Sequence, residues 1–368
     1  MNDCIELDPL SGFFPAALSV LTKKQRIPIK AQFELTARCN FNCRMCYIHM
    51  NENRIKELGR ELTTSEWLRI ASELKEMGTL YLSLTGGEVF MRTDFRTLYE
   101  ELSKMGFLVQ IMSNISMIDE SVMEWLKNTP PYCINTTIYG SNNSVYKSVT
   151  GVESGFDRFD RALNLLLSAN IPVTIKTVLT KLNEDDAPNM YNYCAKHGIK
   201  LISSYGVNKA VRGATSDAAI IRRLRYDPPD SLPDDVSFVK RSDEHGPYPH
   251  HKNYLDDCGA YGNTIHVSWD GHAILCSFMA EPFMDLKELS VKDAWPLFLN
   301  KVDQIKKPAK CINCKYEEYC TRCPGALAAE YGSYDIVSDN FCRAAKYLYS
   351  QYNKGDCKDE KDLCKTNA

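Results

Sequence analysis

Six short apolar runs alternate with amphipathic stretches between residues 30 and 205. The runs are QFELT (32–36), LYLSLT (80–85), FLVQIM (107–112), YCINTTI (132–138), PVTIKTV (172–178) and KLISS (200–204). They are short and rich in β-branched or aromatic residues, as buried parallel strands are. The stretch after Leu62 has helical spacing: Thr63 and Glu66 suit a capping box, and Trp67, Ile70, Ala71, Leu74 and Met77 share a face that Gly78 ends. Asp94 opens a second helix with Phe95, Leu98, Leu102 and Met105 on one side and Gly106 after it. Similar patterns cover roughly 119–127, 156–168 and 187–197. Six strand–helix units predict a parallel sheet wound by right-handed crossovers. They are too few for a closed eight-stranded barrel, so the expected fold class is α/β, a partial (β/α)6 TIM-like barrel. In such folds the chemistry gathers in the loops after the strand C-terminal ends.

The loop after the first run carries CNFNCRMCY, with Cys39, Cys43, Cys46 and then Tyr47. Thiolates are soft, charge-donating ligands suited to iron–sulfur clusters. Three local thiolates on a four-iron cubane leave one iron able to chelate a small molecule. A zinc site would need a fourth ligand nearby, for which His49 is available. The chain has 15 cysteines and no export signal at its start, MNDCIELDPL, so clustered cysteines read as metal ligands rather than disulfides. Cys4, Cys133, Cys194, Cys357 and Cys364 stand apart and read as ordinary thiols. A net charge of −3 gives no electrostatic case for nucleic acid or membrane binding. No stretch approaches the roughly 20 apolar residues of a membrane span, and the protein reads as cytoplasmic.

C-x3-C-x2-C followed by an aromatic residue, placed after a first strand, resembles the signature of the radical S-adenosylmethionine (SAM) superfamily. The resemblance implies a 4Fe-4S cluster whose free iron binds the methionyl group of SAM. It also implies reductive cleavage to a 5′-deoxyadenosyl radical. Gly86, Gly87 and Glu88 follow the second strand and look like the family's Gly-Gly-Glu-Pro motif, with Val89 in place of proline. Glycines let backbone approach a ligand, and Glu88 can accept from its ammonium group. Ser113 and Asn114 end the third strand, where the family often has Thr-Asn-Gly. The fourth strand ends in TTIYG, similar to the family's Ser-Leu-Tyr-Gly, so that Thr137 would supply a hydroxyl to the cofactor. Lys176 on the fifth strand faces either the barrel interior or solvent.

Further on, Cys258, Gly271 and Cys276 precede Cys311-x2-Cys314-x5-Cys320-x2-Cys323, and Cys342 follows. This array is similar to the seven-cysteine SPASM domain, a small cysteine-rich iron–sulfur module, with a last spacing of two residues where three is usual. The resemblance implies two auxiliary 4Fe-4S clusters. Cys258, Cys276 and Cys323 would hold one; Cys311, Cys314, Cys320 and Cys342 would hold the other. Some relatives add a cysteine shortly after the first, but GAYGNTIHV has none, which implies an open iron or a non-cysteine ligand. The paired C-x2-C units alone also suit a zinc ribbon.

The expected organisation is an N-terminal segment (1–29), the barrel core (30–215), a turn-rich bridging segment (216–257), the cysteine domain (258–345) and a polar tail (346–368). His245, His250 and His251 in the bridge read as solvated side chains. Relatives with such domains mostly modify peptides or proteins. The resemblance therefore implies oxidative modification of a ribosomally made peptide or protein, by a thioether, carbon–carbon or similar cross-link. Few residues precede the first strand, so a separate leader-recognition protein is expected. A ferredoxin- or flavodoxin-type reductant would supply electrons. Two other readings stay open: radical modification of a small molecule such as a tetrapyrrole, and a non-catalytic iron–sulfur electron-transfer protein.

Overall fold

The computed structural model describes residues 13–204, 206–216, 255, 258–320 and 322–352. Most of the expected bridging segment, its three histidines, and Cys4, Cys357 and Cys364 lie outside the described residues. The strands are β1 (Lys30–Glu34), β2 (Tyr81–Thr85), β3 (Leu108–Met112), β4 (Cys133–Thr137), β5 (Val173–Val178) and β6 (Leu201–Ser204). β7 (Thr264–Val267), β8 (His272–Ile274) and β9 (Phe283–Asp285) follow. They form one sheet in the order β6-β5-β4-β3-β2-β1-β7-β8-β9. The first six run parallel, as the repeated strand–helix units require.

The helices of the core are α1 (Phe13–Gln25), α2 (Glu52–Leu58), α3 (Thr64–Glu76), α4 (Phe95–Lys104), α5 (Glu120–Leu126), α6 (Asn143–Thr150), α7 (Gly155–Ser168) and α8 (Ala187–Lys196). The capping box of α3 is formed: Glu66 accepts from Thr63 N at 2.8 Å, and Thr63 Oγ1 accepts from Glu66 N at 3.3 Å. Asp94 stands at the N-cap of α4 without a side-chain cap bond. Its carboxylate instead receives Arg92.

Alternation within the strands separates two environments. Phe33, Leu82, Leu84, Val109, Ile111, Ile134 and Ile175 are buried. They pack beneath Trp67 and Leu74 of α3, Leu98 of α4 and Phe159 and Leu163 of α7 in one core. Phe33 and Trp67 place their rings 4.7 Å apart, both without exposure. Truncating Trp67 to alanine would cost about 3–5 kcal/mol, the usual loss for a buried large aromatic. The opposite face is polar. Register places Gln32 beside Ser83, Ser83 beside Gln110, Met112 beside Asn135, and Thr137 beside Lys176. Period-two geometry puts this row inside the curve of the sheet, where the site lies.

Two findings differ from the expectations. The first strand lies two residues earlier than 32–36, because Thr36 leaves the ladder for local work. Its hydroxyl accepts from Arg38 N and donates to Glu61, and its carbonyl accepts from Gly87 N. The stretch 258–345, expected only as a small cysteine domain, adds β7 in parallel to β1 and then an antiparallel hairpin. It also forms α9 (Val291–Val302) and α10 (Pro324–Tyr331), while α11 (Asp339–Tyr352) continues seven residues past it. The stripe of α9 was legible: Val291, Ala294, Trp295, Phe298, Leu299 and Val302 are all buried at helical spacing.

Candidate active site

A cavity of about 400 Å³ opens over the C-terminal ends of the core strands. Its size is ordinary for a small-molecule site. Cys39, Cys43, Cys46 and Tyr47 line one side of it. Gly86 and Gly87 from the turn after β2, and Ser113 and Asn114 after β3, form another. Thr137 of β4 and Lys176 of β5 also reach it, so Lys176 faces the interior rather than solvent.

The cysteine loop is built by contacts that aim its sulfur atoms. Cys46 N donates to Cys43 O at 2.9 Å, closing a turn. The loop is anchored on α6, with Asn42 N donating to Thr150 O and Arg44 N to Val149 O. Phe41 N lies 3.4 Å from Cys39 Sγ, and His49 N lies 3.2 Å from Cys46 Sγ. Asn114 Nδ2 reaches Cys39 Sγ at 3.8 Å, and the Tyr139 hydroxyl bonds Cys43. Burial pushes the Cys39 thiol up to about 12 and raises Cys43 and Cys46 as well, with the neighbouring thiols adding to the effect at Cys39 and Cys43. Three thiolates so placed require a cation to share their charge, and donors already aimed at sulfur fit a bound cluster.

The glycine turn approaches the cysteine loop as closely as backbone can. Gly87 N donates to Thr36 O at 2.7 Å and Glu88 N to Arg38 O at 2.9 Å. A Cβ on Gly87 would sit 2.2 Å from Arg38 O, and one on Gly86 would sit 2.5 Å from Thr36 O. Only glycine fits here. Glu88 itself does not line the cavity. It is completely buried, accepting from Ser113 Oγ and Asn114 N, each at 2.8 Å, and from Phe90 N at 3.2 Å. Its carboxylate ties the loop after β2 to the loop after β3.

Four features of the cavity were not read from the sequence. Tyr139 sits in TTIYG, but its bond to Cys43 depends on the fold. Asn135 on the wall is 6% exposed, and both of its side-chain amide atoms are buried without a partner. Gly206, Val207 and Asn208 after β6 close another side. Phe278 arrives from the second cysteine region and packs on Tyr47, with ring centroids 4.9 Å apart.

The seven cysteines from Cys258 to Cys342 form two neighbourhoods. Cys258, Cys276 and Cys323 lie within electrostatic reach of one another, and burial first, then these neighbours, pushes Cys276 up to about 12. Cys342 feels Cys311 and Cys314, and Cys320 feels Cys342 and Cys311. Among the described residues no three Cys, His, Asp or Glu side chains are drawn in tightly enough to hold a single metal ion. The start of α10 presses on the first set: a Cβ on Gly325 would meet Cys276 Sγ at 2.8 Å.

The radical SAM superfamily model matches residues 33–194, the span of β1 to α8. Among curated proteins, the sporulation killing factor maturation protein SkfB of Bacillus subtilis is 28% identical over 173 residues, 47% of this chain and 41% of SkfB. The match thus spans well under two thirds of SkfB. PqqA peptide cyclase of Granulibacter bethesdensis is 24% identical over 304 residues, covering 79% of this chain and 80% of the cyclase. AdoMet-dependent heme synthase of Methanosarcina barkeri is 22% identical over 338 residues, covering 84% and 95%. Among solved structures, SuiB of Streptococcus suis bound to precursor peptide SuiA superposes with a TM-score of 0.64 at 16% identity, covering 89% of this chain and 79% of SuiB. The anSMEcpe structure with bound AdoMet and peptide gives 0.61 at 15% identity, covering 88% and 96%. These structures share the partial barrel and the cysteine-rich extension. No described helix is long and apolar enough to cross a membrane.

Proposed function

We propose that the chain is a radical SAM enzyme related to the SPASM-type peptide maturases and that it oxidatively modifies a ribosomally made peptide or protein. One observation carries the cofactor assignment. The segment Thr36–Arg38, which leads into the Cys39–Cys46 loop, is locked to the Gly87–Glu88 turn by two backbone hydrogen bonds at the edge of one cavity. When bound, a 4Fe-4S cluster carrying SAM on its open iron supplies the radical that abstracts a substrate hydrogen.

The chain's own residues bind and orient. Cys39, Cys43 and Cys46 would hold the cluster, steadied by Asn114 and Tyr139. Gly86 and Gly87 would present backbone to the methionyl group. Glu88 would fix Ser113 and Asn114. Thr137 and Lys176, cross-strand partners at the cavity wall, would contact the rest of the cofactor. The seven downstream cysteines would hold two auxiliary clusters, Cys258, Cys276 and Cys323 the first and Cys311, Cys314, Cys320 and Cys342 the second. The peptide reading draws on SkfB and PqqA peptide cyclase, and on SuiB bound to its precursor peptide. A leader-recognition protein and a ferredoxin- or flavodoxin-type reductant belong to the same proposal, as does a cytoplasmic location.

A second reading, modification of a tetrapyrrole-like small molecule, is favoured by the long match to heme synthase. Anaerobic reconstitution with a strong reductant tests both. Formation of 5′-deoxyadenosine is expected, and mass spectrometry should show loss of hydrogens from a peptide encoded beside the gene. No deoxyadenosine from protein with its iron intact would sink the enzymatic reading. Deoxyadenosine coupled only to a tetrapyrrole would replace the peptide reading.

A further inference from the structure

After β6 the chain crosses the cavity as a strap, residues 206–216, whose Gly206, Val207 and Asn208 form part of the wall. One dipeptide of the strap holds three separate parts of the site. Val211 N donates to Tyr47 O at 3.0 Å, next to Cys46. The Arg212 guanidinium grips Glu34 of β1 with two bonds of 2.7 and 2.6 Å. The same guanidinium donates to Ser277 O at 3.2 Å, next to Cys276. The ion pair is buried, with side chains 11% and 4% exposed. The Tyr47 hydroxyl bonds the Ser277 side chain, and Gln32 Nε2 donates to Ser277 Oγ at 3.1 Å.

The backbone at this point is set by the clamp rather than by local preference. Arg212 has φ 53°, a left-handed conformation rare for a residue with a long side chain. Such a conformation persists where the surroundings over-determine it, and it clusters at functional sites. Beyond the clamp, Gly213 O accepts from Arg54 Nε, and Ala214 packs on Ala37, Met50, Ile55 and Trp269. A surface pair would not justify this arrangement. A planar fork matched to a carboxylate inside the barrel does, because it adds geometric specificity.

We propose that Arg212 is a positioning residue: its fork on Glu34 fixes the strap as a wall of the cofactor cavity and registers that wall against both cysteine loops. The proposal rests on the reading of the cavity as the SAM site. It makes the strap, the Tyr47 loop and the Ser277 loop one unit, so that loosening one contact loosens all three.

The test uses the full chain and two readouts. Hydrogen–deuterium exchange is measured without SAM, and SAM affinity is measured by calorimetry on the reconstituted protein. Arg212→Gln should raise amide exchange in residues 206–216 about tenfold or more, leaving β2 to β4 unchanged. It should weaken SAM binding by about tenfold. Arg212→Lys, which keeps the charge but not the fork, should fall between. Arg212→Gln strands a buried carboxylate and can fail to fold. The double variant Glu34→Gln with Arg212→Gln removes both charges and should fold, yet keep a fast-exchanging strap and weak SAM binding. Unchanged strap exchange in the double variant would overturn the proposal, as would a loosened strap with undiminished SAM affinity. Wild-type protein that binds no SAM would instead remove the functional reading, while the exchange data would still judge the latch.

Discussion

The Glu88 carboxylate accepts the Asn114 backbone N–H at 2.8 Å, across two loops that are 26 residues apart in sequence. Asn114 in turn sends its side-chain amide to Asn40 Oδ1 at 2.9 Å and toward Cys39 Sγ. Glu88, expected to contact the cofactor, thus also ties the loop after β2 to the loop after β3. It positions a loop that touches a proposed cluster ligand.

Glu88→Gln should destabilise the protein by about 1–3 kcal/mol, because a side-chain N–H₂ must then face a donor already in place. Burial, the dominant cause, raises the Glu88 carboxyl from 4.5 to about 7 against the pull of its hydrogen bonds. With the folded value raised, the folded state holds a proton that the unfolded state has released between about pH 4.5 and 7. Stability should therefore fall as pH rises through that window, by roughly 3 kcal/mol in total, and level off above it. Melting temperatures of wild type and Glu88→Gln across pH 4.5–8 check this. Parallel slopes would refute it.

Gly87→Ala should weaken SAM binding more than tenfold and lower stability by about 1–3 kcal/mol. The new methyl would meet the Arg38 carbonyl oxygen at 2.2 Å and its carbon at 2.7 Å, and backbone cannot rotate aside. Calorimetric titration and thermal melts measure both effects. Gly198→Ala on a turn with open space around it should leave SAM binding unchanged, although its φ of 69° makes alanine there somewhat strained.

Alanine at Cys39, Cys43 and Cys46 together should remove about four iron atoms per chain and abolish deoxyadenosine formation. Alanine at Cys311, Cys314, Cys320 and Cys342 should remove a similar amount but leave SAM cleavage running without product. Iron analysis with paired deoxyadenosine and product assays distinguishes the two. Equal iron loss with full product formation in the second variant would exclude a catalytic need for that set.

Asn135→Leu should stabilise the ligand-free protein, by about 1 kcal/mol, since it removes two buried polar atoms that lack partners. The same change should weaken SAM binding, because the amide lies on the cavity wall. A melting temperature that drops would show that Asn135 is satisfied in the free protein.

Much of the core was legible because local rules and the fold agree in it. Thr63 and Glu66 form their capping box, and the six apolar runs become six parallel strands within two residues of their expected ends. The three-cysteine loop and the Gly86–Gly87 turn were legible because each is a short, contiguous chemical device. The role of Glu88 was not. Its type and position match a ligand contact, and only the approach of β3 shows that its oxygen atoms also accept from Ser113 and Asn114. The polar row inside the sheet was hidden for a related reason. The runs read as apolar throughout, whereas alternate residues such as Gln110 and Asn135 point to the cavity side.

By itself the sequence determined the strand–helix alternation, the three-thiol loop and the glycine turn, since spacing along a chain dictates periodicity and local chelation. The tertiary structure alone decided which distant groups meet. It set β7 beside β1, seated Phe278 on Tyr47, turned Lys176 inward and closed the Arg212 fork on Glu34, 178 residues away. Such long-range pairs leave no periodic trace in a single sequence, because their energy comes from desolvation and geometry that exist only once the sheet has formed.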